Sequence, residues 1–319
     1  MQVEERIKEI WDRLWPVLFI VLGGCASIPP GVGQLDAGAA SLELADTTFH
    51  AQERYQCGPA ALLTALQSSG ADASMQEVVD LVYLPGRKGS LQAEMLAAVR
   101  TSGRLPYRID GTLNAIFDEL RSGRPVVVLQ NLGVSLYPRW HYAVVVGIDP
   151  GRHEVILRSG IDKRRVTAFK PFLHTWRRSD YWSFVVLKPD EWPANVDRVR
   201  YFETIAGVEQ AGRYREALIG WQTALGQWPD DPVALFGFAN VHYAVENWAE
   251  AVAGYQALLD AGGELPVARN NLAMAFLKIG ETEKALDQVD RAILATEDRF
   301  LQTEFAKTRE AILATIKSD

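Results

Sequence analysis

The stretch that decides the fold of the first half of this chain is residues 52–63, QERYQCGPAALL. Pro59 has the backbone angle of a first helical turn and lacks the N–H that would go unpaired there. The apolar residues up to Leu66 supply a buried helical face, and Gly70 ends the helix. The stretch therefore predicts an amphipathic helix that carries the thiol of Cys57 at its N-terminus.

The position of Cys57 points to chemistry as well as to structure. Free N–H groups of a first helical turn and the helix dipole favour the thiolate form of a cysteine. Cysteine nucleophiles are activated in this way together with a histidine. Gln52 lies five residues upstream, where its amide could donate to an oxyanion. The alternative is a small cysteine that only fills the core.

A candidate base for this thiol is His141. It begins the run HYAVVVGI, which predicts a strong buried strand. The other histidines have no comparable setting; they are His50, His153, His174 and His242.

These motifs together carry a resemblance. The run Gln-x4-Cys-Gly-x-Ala-x-Leu, followed by His-Tyr-x-Val-Val, resembles the bacteriocin-processing (double-glycine leader) cysteine peptidases over about residues 45 to 190. The resemblance implies a papain-like domain that needs no cofactor. It also implies that Cys57 is the nucleophile, His141 the base and Gln52 the oxyanion donor.

A third residue should orient the imidazole. Asp149 lies eight residues down the same predicted strand, about 26 Å away if the chain is extended. The turn after it folds the chain back, so residues 158–162 should lie beside His141. The resemblance places an aspartate in this region. Here Ser159 is nearest to that position and Asp162 is the nearest carboxylate, so the orienting residue is Ser159 or Asp162.

Helices precede strands in the first domain, at about residues 47–190. Helices are predicted for residues 57–69, 75–82, 91–101 and 113–121, with Ser74, Ser90 and Thr112 at the starts of the last three. Strands are predicted for residues 125–130, 141–148, 154–157 and 181–187. This order predicts an α+β domain with an antiparallel sheet.

The second half of the chain repeats every 34 residues. Ala217, Ala251 and Ala285 are in register, as are several apolar columns around them. This period resembles tetratricopeptide repeats, three of them over residues 198–319, with a capping helix from about Leu301. We expect this all-α solenoid to fold on its own and to bind a peptide or protein partner.

The N-terminal segment predicts export. Residues 14–24 form an apolar run of signal-peptide length, and Leu22-Gly-Gly-Cys25 resembles a bacterial lipoprotein signal. The resemblance implies a signal segment over residues 1–25, cleavage before Cys25, acylation of that thiol, and an address at the periplasmic face of the outer membrane. Residues 26–46 predict a flexible tether. An uncleaved helix and a start codon elsewhere are the alternatives.

Composition excludes several classes of function. The chain has 319 residues, of which 48% are hydrophobic, and this is enough for two domains. Its net charge of −7 gives no reason to expect nucleic-acid binding. Two cysteines do not make a disulfide scaffold, and neither a zinc motif nor a phosphate-binding glycine loop occurs. The sequence therefore predicts neither a metal nor a cofactor.

Three functions fit these features. The first is an envelope-anchored cysteine peptidase with a repeat domain that binds a substrate or partner. The second is a catalytically weak or inactive peptidase-like platform that binds peptides or envelope proteins. The third is an amidase or transpeptidase that uses the same Cys–His pair on cell-wall peptides.

Overall fold

The structure is a computed structural model that describes residues 31–35, 38–53, 55–134, 136–263 and 265–318. The predicted signal segment with Cys25 lies outside these residues. The first domain begins with strand β1 (Leu42–Glu43) and helices α1 (Cys57–Ser68), α2 (Met75–Val82) and α3 (Gln92–Thr101). Next come β2 (Leu105–Arg108), α4 (Leu113–Arg121), β3 (Val126–Asn131), β4 (Trp140–Asp149), β5 (Glu154–Ser159), β6 (Asp162–Ala168), α5 (Phe169–Arg177) and β7 (Ser183–Leu187).

Two predicted helix starts are confirmed by their caps, whereas the predicted start at Ser90 is wrong, because Leu91 is the N-cap of α3 and forms no side-chain cap bond. Ser74 and Glu77 form a reciprocal capping box at the start of α2. The side chain of Thr112 accepts the N–H of Ala115 at the start of α4. Each cap satisfies N–H groups that a helix cannot pair internally, so these helices begin where the sequence places them.

The strands form one antiparallel sheet in the order β2-β7-β3-β4-β5-β6, and β1 pairs with the far end of β4. β4 lies inside the sheet, between β3 and β5. Its first residues pair with the end of β3, where His141 stands opposite Gln130. This register places the candidate base at one end of a strand that lies inside the sheet.

Both faces of the sheet are covered. Helix α1 packs on one face, where Leu62 and Leu66 share a core with Val127 and Val144. Helices α4 and α5 pack on the other face, where Ile116 and Phe172 share a core with Val128 and Val145. The alternation of side chains along β3 and β4 produces these two cores.

The second domain is a helical solenoid. Its helices are α6 (Arg198–Gln210), α7 (Tyr214–Gln227), α8 (Pro232–Ala244), α9 (Trp248–Asp260), α10 (Pro266–Lys278), α11 (Thr282–Leu294) and α12 (Arg299–Ser318). The alanines of the 34-residue period, Ala217, Ala251 and Ala285, are fully buried in the second helix of each pair. An alanine at that point lets paired helices approach closely. The predicted fold class, an α+β domain followed by an all-α tetratricopeptide-like region, is therefore confirmed.

We expected the helical region to be a separate unit, but in the structure it packs against the first domain. Tyr201 and Ile205 of α6 belong to the core that also contains Leu105 of β2. The hydroxyl of Tyr107 accepts the N–H of Asp197 and donates to the carbonyl of Asn195. The two domains therefore share a core, and the segment between them is held in place.

The predicted tether also differs from the structure. Side chains from residues 31–35 and 38–46 pack against the core of the first domain, among them Val32, Leu35, Leu42 and Leu44. Strand β1 lies in this segment. Within the described residues the segment is therefore part of the domain surface. Residues 26–30 lie outside them.

No helix among the described residues is both long enough and apolar enough to cross a bilayer.

Candidate active site

Cys57 is the first residue of α1, as the sequence predicts. The backbone N–H groups of Tyr142, Gly58 and Cys57 itself act on its sulfur and lower the pKa of the thiol. Gly58 is needed here, because a Cβ at this residue would lie 2.3 Å from the Oγ of Ser90. The start of the helix and the start of β4 thus meet at the sulfur atom.

The charge state of Cys57 differs from our expectation. Burial raises the pKa of the Cys57 thiol, and the N–H groups of Tyr142, Gly58 and Cys57 lower it by less. Desolvation disfavours the charged form, and here it outweighs the helix start. The thiol is therefore neutral at pH 7 in this structure, and the predicted resting thiolate is not formed.

His141 is the second residue of β4 and is half-buried. Its Nε2 lies 2.8 Å from the Oγ of Ser159. Burial lowers the pKa of His141 to about 4, and the nearby charge of Arg165 adds to this effect. The imidazole is therefore neutral at pH 7, which is the form that can accept a proton from a thiol.

Among the residues proposed to orient the imidazole, Ser159 is the one that bonds it. Asp162 stands opposite Ser159 in the β5–β6 pairing and is exposed. Asp149 lies at the far end of β4, where its carboxylate accepts the N–H of Arg152 at 3.0 Å. A serine can donate or accept, so it fixes the tautomer of the imidazole less strongly than a carboxylate would.

Gln52 lies beside the same site. Its backbone N–H donates to the carbonyl of Gly160 at 3.2 Å. Both Gln52 and Gly160 line a small pocket with Cys57 and Ser159. The loop before α1 is thus tied to the turn after β5, next to the serine that holds His141.

The pocket has a volume of about 10 Å³, room for no more than one water molecule. Cys57, Gln52 and Ser159 line it, and His141 is connected to it through Ser159 and through the adjacent Tyr142. No hydrogen bond joins the Cys57 sulfur to the imidazole among the residues that the structure describes. A peptide bond could enter only if the surrounding side chains moved apart.

Two residues at this site were missed by sequence reasoning. His50 lines the pocket, and its Nε2 lies 2.9 Å from the Oε1 of Gln67. Arg165 projects a charge toward His141 from the exposed strand β6. Neither has a local signal in the sequence, because both are brought to the site by pairing of distant segments.

The remaining predicted residue, Cys25, lies outside the described part of the chain. Cys57 is a free cysteine. Across the described ranges, no group of three or more histidine, cysteine, aspartate or glutamate side chains could hold a metal ion.

Comparison with known proteins supports the prediction of a peptidase-like first domain. Residues 44–183 match the model of the Peptidase_C39 like family. This interval contains Cys57, His141, Gln52 and Ser159. The curated proteins contain no match to the chain. The match supports a cysteine peptidase-like domain, while the double-glycine type remains a prediction.

Solved structures similar to the chain are helical repeat proteins. The type III secretion translocator chaperone SycD of Yersinia enterocolitica is 17% identical, over 39% of this chain and 90% of that chain, with a TM-score of 0.36. The first TPR domain of human RPAP3 is 16% identical, over 38% and 96%, with a TM-score of 0.35. YrrB, a TPR protein with an unusual peptide-binding site, is 24% identical, over 37% and 60%, with a TM-score of 0.34. None of these likenesses bears on function.

Proposed function

We propose that this protein is a cysteine peptidase that acts at the bacterial cell envelope. The observation that carries the proposal is that Cys57, at the start of α1, lines one pocket with Gln52 and with Ser159, whose hydroxyl bonds the His141 imidazole, while N–H groups around the thiol lower its pKa. Such N–H groups stabilise negative charge that develops during a reaction. The neutral imidazole of His141 is the group proposed to take the proton.

The proposed reaction is acyl transfer. The sulfur of Cys57 attacks the carbonyl carbon of a peptide bond while its proton passes to His141. The C–N bond breaks, and the amine leaves with that proton. Water then hydrolyses the thioester, with His141 again as base, and regenerates the thiol. Gln52 and the Cys57 N–H are the donors proposed for the oxyanion.

Ser159 is proposed as the positioning residue. Its hydroxyl engages Nε2 of His141, so Nδ1 is the nitrogen that remains to receive the thiol proton. Because the resting pair is neutral, the proton is transferred at the time of attack rather than before it. The N–H groups around the sulfur then stabilise the thiolate that forms.

Cleavage of a peptide library tests this proposal, with double-glycine leader peptides included among the substrates. Cys57→Ala and His141→Ala should each lower turnover by a factor on the order of 10³ or more. Asp149→Asn is the matched control and should leave turnover intact, because that carboxylate bonds a turn at the far end of β4. If Cys57→Ala cleaves the library as fast as the unaltered protein, the peptidase proposal is wrong.

A second function is favoured by one observation. Burial keeps both Cys57 and His141 neutral, and a serine stands where a carboxylate would strengthen the base. A peptide-binding platform would tolerate this state. In that case Cys57→Ala would bind library peptides as tightly as the unaltered protein, and neither would release a product.

The repeat domain is proposed to bind a partner or substrate. A groove of about 380 Å³ lies between α6 and α8, with Trp221 of α7 among its lining residues. Gly237 creates room for that indole, since a Cβ there would lie 2.3 Å from the ring. The groove is mostly apolar and carries Glu203 and Glu209 in its lining. These features suit an apolar side chain of a bound peptide.

Anchoring at the periplasmic face of the outer membrane is proposed from the sequence alone. Cys25→Ser should leave the protein unprocessed or release it from the outer-membrane fraction. Fractionation of this variant with the outer membrane, as for the unaltered protein, would contradict acylation at Cys25.

A further inference from the structure

The loop between β3 and β4 exposes an unusual number of large apolar side chains. Within the described residues of 132–140, these are Leu132 (46% exposed), Val134 (58%), Leu136 (79%), Tyr137 (74%) and Trp140 (53%). Single exposed apolar residues are normal on a soluble protein, but a contiguous group of this kind marks an interaction site.

The loop is held in its conformation by specific bonds. The Oδ1 of Asn131 accepts the N–H groups of Gly133 and Arg139, each at 2.9 Å. Arg178, just after α5, donates to the carbonyls of Asn131 and Gly133 at 3.1 and 2.6 Å. A Cβ at Gly133 would lie 2.2 Å from the carbonyl oxygen of Tyr137.

These bonds fix a tight hairpin whose apolar side chains point outward. Ordering a loop costs conformational entropy, and here the hydrogen bonds of Asn131 and Arg178 offset that cost. The exposed side chains therefore form a defined surface and do not belong to a frayed segment.

This surface is separate from the candidate catalytic pocket. None of the described loop residues lines the pocket around Cys57. The apolar side chains therefore form a surface outside that pocket. An occupant must approach from outside the domain.

The point at which the described chain begins favours one occupant. Gly33 packs against Leu173 of α5, where a Cβ would lie 2.9 Å from that side chain. The same helix runs on for about 7 Å to Arg178, which supports the loop. Cys25 precedes Gly31 by six residues, which can span at most about 20 Å. A chain anchored at Cys25 would thus hold this face near a bilayer.

The chemistry of the loop suits a lipid surface. Trp140 and Tyr137 are of the types enriched where lipid headgroups meet hydrocarbon. Leu136 and Val134 supply apolar area at the tip, and the exposed Arg139 can meet anionic headgroups.

We propose that the β3–β4 loop, over its described residues 132–134 and 136–140, is a bilayer contact that inserts its apolar side chains among the headgroups of an anionic membrane. The proposal rests on the proposed anchor at Cys25 for the approach to the membrane, but it does not need the chemistry of Cys57. Because Trp140 directly precedes His141, the contact would place the candidate active site close to the lipid surface.

Fluorescence quenching on vesicles tests the contact. The full chain, with Cys25→Ser and Cys57→Ser, carries an N-terminal hexahistidine tag and is tethered through a nickel-chelating lipid. The tether makes the result independent of acylation. A fluorophore is attached at Leu136→Cys or, as the matched control, at Leu294→Cys, since Leu294 is 85% exposed on the repeat domain. The vesicles contain phosphatidylethanolamine, phosphatidylglycerol and a brominated lipid.

We expect the label at residue 136 to be quenched at least about twofold more strongly than the label at residue 294, because only the former enters the brominated region. Equal quenching at the two positions overturns the proposal. The proposal is also overturned if the brominated lipid does not quench the label at residue 136 and its fluorescence changes only when library peptides are added. That result would make the loop a peptide-binding surface.

Discussion

The two domains differ in the side chains that dominate their cores, although the repeats also bury polar residues such as Asp231 and Asn270. In the first domain, charged and polar side chains such as Glu119, Gln130 and Arg158 are buried, each with defined hydrogen bonds. In the repeats, the core is built mainly on alanine columns and aromatic rings, such as Ala251 and Tyr255. Buried polar groups fix geometry at a high cost when they are disturbed, whereas alanine columns fix only the spacing of helices. The first domain is therefore suited to position chemistry and the second to present a surface.

The largest expected effect comes from the buried Arg158, which is 5% exposed. Its guanidinium donates to the carbonyls of Thr47, Ala45 and Lys163. Arg158→Ala would leave these acceptors unpaired, so we expect a loss of about 3–4 kcal/mol in the free energy of unfolding by urea.

The matched control for Arg158 lies in the repeat domain. Arg309 forms a 2.6 Å ion pair with Asp290, and its side chain is 42% exposed. Arg309→Ala should cost less than about 1 kcal/mol, because water screens exposed pairs. Equal losses for the two variants would remove the distinction between the domains.

A smaller effect is expected from the pH dependence of stability. The pKa of His141 is about 4 in the folded chain and 6.5 in the unfolded chain. Between these pH values the unfolded chain binds a proton that the folded chain does not bind. Stability is therefore lost as the pH falls through 6.5 toward 4. By linkage this residue should cost about 2 kcal/mol at pH 5 relative to pH 8.

Urea unfolding at both pH values measures that loss. His141→Gln should lose about 2 kcal/mol less than the unaltered protein between pH 8 and pH 5. His174→Gln on α5 is the control and should follow the unaltered protein. An identical pH dependence in all three proteins would mean that His141 is not buried as a neutral group.

The third expected effect concerns the boundary between the domains. Tyr107 bonds Asn195 and Asp197, and Trp192 stacks on Tyr201 with ring centroids 4.6 Å apart. The shared core predicts a single unfolding transition for the whole chain. Tyr107→Phe should lower the free energy of unfolding by about 1–2 kcal/mol, because the Asp197 N–H loses its acceptor.

Calorimetry and urea unfolding followed by two probes check this prediction. Tyr214→Phe, at a residue that is 38% exposed, should change stability by less than about 0.5 kcal/mol. Two separate transitions in the unaltered protein would show that the domains are independent after all.

Local patterns predicted much of the fold correctly. The Cys57 helix, the caps at Ser74 and Thr112, and the 34-residue alanine period depend on neighbours in sequence, so they can be read from it. By contrast, β6 was missed because its residues DKRRVTA are mostly exposed and lack alternation. The helix α5 was missed because Pro171 lies within it and a basic, aromatic sequence hides its period.

The candidate site was only partly predictable. Counting residues along the predicted strands correctly placed residues 158–162 near His141, and Asp149 at the far end of β4. The sequence could not choose between Ser159 and Asp162, since the pairing of β4 with β5 shifts register between Val145 and Gly147. It also does not reveal the burial that raises the pKa of Cys57, because burial depends on how distant segments pack around the sulfur.

The central claim is that Cys57 and His141 act as one reactive pair. The most direct measurement is the rate at which chloroacetamide alkylates Cys57, followed by mass spectrometry from pH 6 to pH 9 in the unaltered protein and in His141→Gln. The raised pKa of Cys57 predicts that the rate in His141→Gln rises about tenfold per pH unit, in proportion to the small thiolate fraction. In the unaltered protein the imidazole accepts the thiol proton, so at pH 7 the rate should be higher by a factor on the order of 10². Equal rates in the two proteins across this range would contradict the pairing of Cys57 with His141.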